Sequence, residues 1–342
     1  MTGRPLISIV CPTYNRSAAI AATIESVLTQ SVPDWELVVV GDGCTDDTLR
    51  QVASFGDSRI RTMQIAHTGH PSPARNAGLM AATAPIVAYL DHDDRWEPGH
   101  LTNLMVEFDS GATAVATGAS YVDDTGHPIG TVEPLTLCWH PEIQLTAPLF
   151  EPSRVAIRAG LVEGVGGWRS GVGLEDWDLW NRLADHGVRF TTVLEPTVTM
   201  VQAAGSRTHR TPRRHRHPVA TFDHPRRAAT AAARIRQAPF RDAAREDLLD
   251  WYLRLDADGA LVRPVGAAFD LRAEIDRSCS GANNGWSDLV VSPHSGRYQL
   301  SRMLWCADSA HAAALADVTE RVHVRQWALA RAIAADDGLA AA

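Results

Sequence analysis

The chain has 342 residues, 45% of them hydrophobic, with 32 basic and 40 acidic side chains and a formal net charge of −8. That length supplies a buried core for one large domain plus an extension, or for two domains, and the acidic balance disfavours generic polyanion partners, so no nucleic acid is expected. No charged-then-apolar leader and no apolar run of membrane-spanning length is read, so a soluble, cytoplasmic chain is expected, with peripheral membrane contact and a homodimer left open.

The first element is Leu6-Ile7-Ser8-Ile9-Val10-Cys11, a continuous apolar run that suits a strand covered on both faces. Pro12-Thr13-Tyr14-Asn15-Arg16 breaks it, and a helix follows from about Ser17, with Ile20, Ile24, Val27 and Leu28 at helical spacing. Glu36 to Val40 is a second buried strand, and Gly41 to Asp47 is the loop after it. A helix with Leu49 and Val52, a strand over 59–65, a His- and Pro-rich loop and a short helix over 74–80 come next. Ile86-Val87-Ala88-Tyr89-Leu90 then reads as a buried strand that runs straight into Asp91-His92-Asp93-Asp94. Carboxylates leaving a core strand are costly unless a positive charge offsets them, and the usual offset is a hard divalent cation; the plainer alternative is a solvated Asp-rich turn. Strands alternating with helices predict crossover connections and a mostly parallel sheet, in which ligands bind beyond the carboxyl ends of the strands. No Gly-x-Gly-x-x-Gly or P-loop lysine follows the first strand, and no lysine occurs anywhere.

Further on, Trp96-Glu97-Pro98 opens a helix carrying Leu101, Leu104, Met105 and Phe108. Residues 112–122 read as a strand pair or one long strand and 130–150 as a variable loop. A helix after Gly173 has Leu179, Trp180 and Leu183 on one face, and Glu175, Asp176 and Asp178 in its first turn suit the helix dipole. Arg207 to His217 is the sharpest basic cluster. From about Pro218, helical spacing recurs in 240–255 and 315–333, while 278–301 reads as loop. The five cysteines (Cys11, Cys44, Cys138, Cys279 and Cys306) lack metal-ligand spacing and fit reduced structural thiols.

Five pieces together resemble family-2 nucleotide-sugar glycosyltransferases of the GT-A fold. They are Ser8 to Arg16, Gly41-Asp42-Gly43-Cys44-Thr45-Asp46, Ala74-Arg75-Asn76-Ala77-Gly78, Leu90 to Asp94, and Gly173-Leu174-Glu175-Asp176-Trp177-Asp178-Leu179-Trp180. Gly41 and Cys44 depart from the family's usual Asp and Ser. Ser153 to Arg158 resembles a family strand that precedes a Gly-Gly segment, here Gly166-Gly167. The resemblance implies an α/β fold: a GT-A, Rossmann-like, mostly parallel sheet flanked by helices over residues 1–215, with a mainly helical C-terminal extension over 216–342 on the acceptor side or at a dimer interface.

It also implies a metal-dependent, inverting glycosyltransferase that moves a sugar from a UDP- or dTDP-sugar to an acceptor hydroxyl on a natural product, peptide, lipid-linked glycan or polysaccharide. In that resemblance Asp42 accepts the N3–H of uracil, while Pro12, Thr13 and Tyr14 floor the base and ribose. Arg75 faces the diphosphate or, alternatively, organises the acidic loop. Asp91 meets the ribose or a metal-bound water, and Asp93 reaches the Mn²⁺ or Mg²⁺ directly, with Asp94 sharing either task. His92 stands among the donor-binding positions, although imidazole is a poor ligand for these hard ions. Asp176 is the general base, Glu175 a contact to acceptor or sugar hydroxyls, and Asp178 a surface or capping carboxylate. Arg207 folds over the diphosphate and His209 completes the metal shell, whereas Arg213 to His217 reads as solvated linker. The rival readings are a catalytically silent nucleotide-sugar-binding protein and a nucleotidyltransferase of related fold.

Overall fold

The computed structural model describes residues 4–170, 174–202, 215–266, 269–280, 286–306 and 308–336. Residues 4–202 and 262–266 belong to one compact unit, and 215–261 with 269–336 to a second.

The first unit opens with β1 (Ile7–Thr13), α1 (Ile20–Leu28), β2 (Trp35–Asp42), α2 (Thr48–Ser54), β3 (Ile60–Ile65), α3 (Pro71–Ala81) and β4 (Ile86–Tyr89). It continues with β5 (Arg95–Trp96), α4 (His100–Asp109), β6 (Ala114–Val122), β7 (Pro128–Thr131), α5 (Pro141–Thr146), β8 (Val155–Arg158), α6 (Leu161–Gly164), α7 (Glu175–Asp185) and β9 (Phe190–Val201). The sheet order is β3-β2-β1-β4-β8-β6-β9-β5, with β7 hydrogen-bonded to β6. Strands β1, β2, β3 and β4 run parallel, β6 and β9 share their direction, and β8, β5 and β7 run against it.

All residues of β1, β2 and β4 are buried, which is why they read as unbroken apolar runs rather than alternating ones. Ile20, Ile24 and Val27 of α1 pack into the same core as Ile7, Ile9 and Leu37. On the opposite side, Ala74 and Ala77 of α3 meet Val38 and Val40. Gly78 lets α3 lie close: a Cβ there would stand 2.4 Å from Val10 Cγ1. The insertion of β8 between β4 and β6 breaks the parallel order. Residues 262–266 return to this unit through bridges of Val262 to Trp139 and of Val265 to Val193, a long-range pairing that leaves no local signal.

The second unit holds β10 (His215–Phe222), α8 (Pro225–Gln237), α9 (Arg241–Ala257), α10 (Leu271–Ser278), β11 (Leu289–His294), β12 (Arg297–Leu304), α11 (Ser309–Val322) and α12 (Val324–Ala335). It is mainly helical, with an antiparallel sheet of order β10-β12-β11. Part of the stretch expected as loop, 278–301, is therefore hairpin. Its Gly, Asn and Ser content masks the inward Leu289 and Leu300. The core of this unit centres on Phe240 stacked on Trp286, with Trp327 edge-on to Trp286 at 4.7 Å between centroids.

Candidate active site

The carboxyl ends of β1, β2 and β4 point their loops to one rim, because the three strands are parallel neighbours. Side chains lace these loops together. The Asn15 carboxamide oxygen accepts from Thr45 N–H at 2.9 Å, and Arg16 N–H donates to Thr48 Oγ1 at 2.8 Å. Asn15 itself has φ +47°, a left-handed conformation that Asn tolerates better than most residues. His92 braces the rim with both nitrogens: Nδ1–H donates to the Pro12 carbonyl at 3.1 Å, and Nε2 accepts from Arg16 Nε at 3.0 Å. The carbonyl partner sets the tautomer.

Asp42 is buried at the end of β2. Its Oδ1 accepts from Thr68 N–H at 2.8 Å and Thr68 Oγ–H at 2.9 Å, and its Oδ2 accepts from Gly69 N–H at 2.9 Å. The side chain so holds the 67–70 loop while keeping further lone pairs. Thr13 is buried; Tyr14 is exposed and stacks on the His67 ring at 4.3 Å.

The three aspartates after β4 divide. Asp94 turns inward and is 4% exposed; it accepts from Ser153 Oγ–H at 2.5 Å and from Val201 N–H at 3.2 Å. Ser153 Oγ in turn accepts from Asp91 N–H at 3.0 Å. Burial, with Asp91 and Asp93 adding, pushes the Asp94 carboxyl well above the usual range. The sharing of donor or metal contacts expected for Asp94 is thereby replaced by an internal clasp, and Ser153, a lone hydroxyl unmarked in the sequence, is the partner that turns it. Asp93 remains at the surface with 42% of its side chain exposed. Burial lifts its carboxyl, His92 and Arg16 opposing and Asp91 adding.

Arg75, 3% exposed, joins this loop to the next element. Its guanidinium donates to Asp91 Oδ1 at 2.7 Å and to Glu175 Oε1 at 3.0 Å, and lies 4.5 Å above the Trp168 ring. Burial alone would lower its pKa, but Asp91, Glu175 and Asp176 raise it, so it stays charged. Glu175, expected at acceptor or sugar hydroxyls, is 2% exposed and turned to Arg75. Asp176, next to it, accepts from Trp177 N–H at 2.8 Å. Burial, then the neighbouring Glu175 charge, pushes its carboxyl up to about 7. Asp178, expected at the surface, is 5% exposed and grips Arg182 at 2.6 Å, while Arg182 ties down the carbonyls of Val165 and Gly167. Asn76 completes the frame by pairing its amide with both backbone groups of Trp168, at 2.8 and 2.9 Å. Gly171, Gly173, Arg207, His209, Arg213 and Arg214 lie outside the described residues.

Asp91 and Asp93 are hard oxygen donors at one rim, Asp91 already paired with Arg75 and Asp93 lying 3.9 Å from His92 Nε2. Among the described residues no three His, Cys, Asp or Glu side chains are grouped to hold an ion unaided. The donor set fits a cation bound by one or two carboxylates and completed by phosphate oxygens and water.

A family model described as "Glycosyl transferase family 2" matches residues 8–154, the span that carries the rim loops. The chain is 20% identical to S. aureus TarS 1–349 solved in complex with UDP-GlcNAc, with a TM-score of 0.52 over 59% of this chain and 60% of that one. That likeness is one of fold, and it agrees with the GT-A arrangement expected from the sequence. The Escherichia coli UDP-Glc:alpha-D-GlcNAc-diphosphoundecaprenol beta-1,3-glucosyltransferase WfgD is 41% identical over 91 residues, 27% of this chain and 36% of that protein. The chain spans 36, 51 and 44% of the length of three curated relatives it matches. With the putative glycosyltransferase EpsE of Bacillus subtilis it shares 30% identity over 197 residues, 55% of this chain and 70% of that protein. A likeness that runs across most of a relative's length, and a family model seated on the loops of the rim, make the same assignment: the chain belongs to glycosyltransferase family 2.

Proposed function

We propose that the chain is an inverting, metal-dependent glycosyltransferase of the cytoplasm that moves a sugar from a UDP- or dTDP-sugar to an acceptor hydroxyl. The observation that carries this reading is the Arg75 bridge, which binds the loop of Asp91 and Asp93 to the first turn of the helix bearing Asp176. A donor-side carboxylate and a candidate base so share one rigid frame. WfgD, whose name gives alpha-D-GlcNAc-diphosphoundecaprenol as acceptor, supports a hydroxyl of a glycan as the acceptor.

Asp42 and the loop it holds receive the pyrimidine, with Pro12, Thr13 and Tyr14 beside the base and ribose. Asp93 would hold Mn²⁺ or Mg²⁺ directly, with Asp91 at the ribose or behind the cation; when bound, the cation would supply Lewis-acid stabilisation of the departing diphosphate. Arg207 is assigned to the donor diphosphate and His209 to the metal shell. Asp176 takes the proton of the acceptor hydroxyl as that oxygen forms its bond to the sugar C1. The bond from C1 to the diphosphate oxygen breaks with its electron pair, and a single displacement inverts the anomeric centre. Glu175 acts by holding Arg75 rather than by touching the acceptor. Proton transfer of this kind contributes roughly 10²–10⁴-fold, and the fixed alignment of the two loops supplies a further share.

The test is nucleotide release from a panel of UDP- and dTDP-sugars with Mn²⁺, paired with thermal shifts by UDP and Mn²⁺. Asp93→Ala is expected to lose the Mn²⁺-dependent shift. Asp176→Asn is expected to keep it and to lose at least 100-fold in release, in line with the general-base range. Undiminished turnover by Asp176→Asn overturns the assignment of the base.

A further inference from the structure

Asp176 and Trp180 are four residues apart on α7 and so lie on one side of that helix. Trp180 Nε1–H donates to the Phe150 carbonyl at 2.8 Å, and Trp177 Nε1–H donates to the Gln144 carbonyl at 2.6 Å. The stretch that ends at Glu151 therefore hangs from the helix that carries Asp176, and the Glu151 charge is among those that Asp176 feels.

Glu151 is held and only partly covered. Its Oε1 accepts from the Tyr121 hydroxyl at 3.0 Å, its Oε2 is sealed from solvent facing Arg154 Nε at 2.9 Å, and 37% of its side chain stays exposed. Arg154 is itself 1% exposed and anchored by donating to the carbonyls of Thr117, at 3.0 Å, and Leu149. A counter-ion for a buried arginine needs neither an exposed face nor a tyrosine on its other oxygen. With its proton given to Glu151, the Tyr121 oxygen offers lone pairs only, as does the carboxylate. A ligand here must donate hydrogen bonds. Arg154 already offsets the negative charge, which favours a neutral donor over a cation.

We infer that Glu151 and Tyr121 form the recognition point for a neutral polyhydroxylated acceptor, a sugar ring whose neighbouring hydroxyls donate to both, at the end of the segment that hangs from the helix bearing Asp176. The inference rests on the transferase reading and names the acceptor class for the same site. Neither residue falls in the five pieces that carry the family resemblance, and the pairing joins β6 to a segment 30 residues on.

The probes are the methyl glycosides of glucose, galactose, mannose and N-acetylglucosamine, titrated against the full chain with Mn²⁺ and the nucleotide sugar that it turns over fastest. At least one glycoside is expected to accelerate nucleotide release saturably. Glu151→Gln and Tyr121→Phe are each expected to raise its half-saturating concentration tenfold or more, while the midpoint of the UDP thermal shift stays within twofold; Glu151→Asp recovers part of the loss. Unaltered half-saturation in both variants overturns the inference, and so does a chain that releases nucleotide yet responds to none of the four glycosides. A chain that releases nucleotide from no donor at all refutes the transferase reading itself, and the inference with it.

Discussion

The Asp176 carboxyl answers to two opposed demands. As a base it must be ionised, yet burial and the adjacent Glu175 hold its pKa near 7. The acid limb of kcat/KM for transfer is therefore expected to have its midpoint near pH 7; a midpoint below pH 5 would contradict the environment described. The same shift has a sign for stability. An unfolded aspartate titrates near 3.9, so the group favours the fold fully below that value, and the contribution is lost as pH rises through about 7. Asp176→Asn should then raise Tm by about 2 °C or more at pH 8 and leave it nearly unchanged at pH 4, as thermal melts at the two pH values can check. Arg75 sits at the other extreme: removing it strands two carboxylates. Arg75→Met is expected to cost roughly 3–5 kcal/mol, the range for breaking a buried ion pair, and a urea-derived loss under about 1 kcal/mol would show that Asp91 and Glu175 find water instead. That these residues are charged and stand at strand ends is written locally in the sequence. Which aspartate of the trio turns inward is not, because Ser153 makes that choice from 59 residues away.

Helix α3 shows how close packing outranks propensity. Replacing Gly78 by Ala should gain about 1 kcal/mol of helix propensity, but the added methyl would meet Val10 Cγ1 at 2.4 Å and Val40 Cγ2 at 3.2 Å. Overpacking of this kind costs typically ~1–3 kcal/mol, so Gly78→Ala is expected to lower the urea midpoint, and a rise would mean that α3 shifts freely on the sheet. The strands beneath it were legible because β1, β2 and β4 are buried on both faces and admit no polar alternation. Strand β8 was legible as a strand through the family resemblance, but not as the antiparallel wedge between β4 and β6, since neighbour choice is a long-range property. The β11–β12 hairpin was missed because only Leu289, Leu300, Ser301 and Leu304 of its strand residues are buried and its turn, Ser295-Gly296, is embedded in a Gly- and Ser-rich stretch.

At the scale of the molecule, each unit has a core of its own. One is built on Ile7, Ile9, Leu37 and Leu104, the other on Phe240, Trp286, Leu300 and Trp327. Calorimetry is expected to resolve two transitions, with UDP and Mn²⁺ raising only that of the first unit, since a ligand stabilises what it binds. A single transition that moves as a whole would show that the cores melt together. Six tryptophans (Trp35, Trp139, Trp177, Trp180, Trp286 and Trp327) are sealed from solvent, four in the first unit and two in the second, while Trp168 lies under the Arg75 guanidinium. Intrinsic emission can therefore follow both cores without a label, and quenching at Trp168 offers an optical signal for any occupant that pulls on the cation above it.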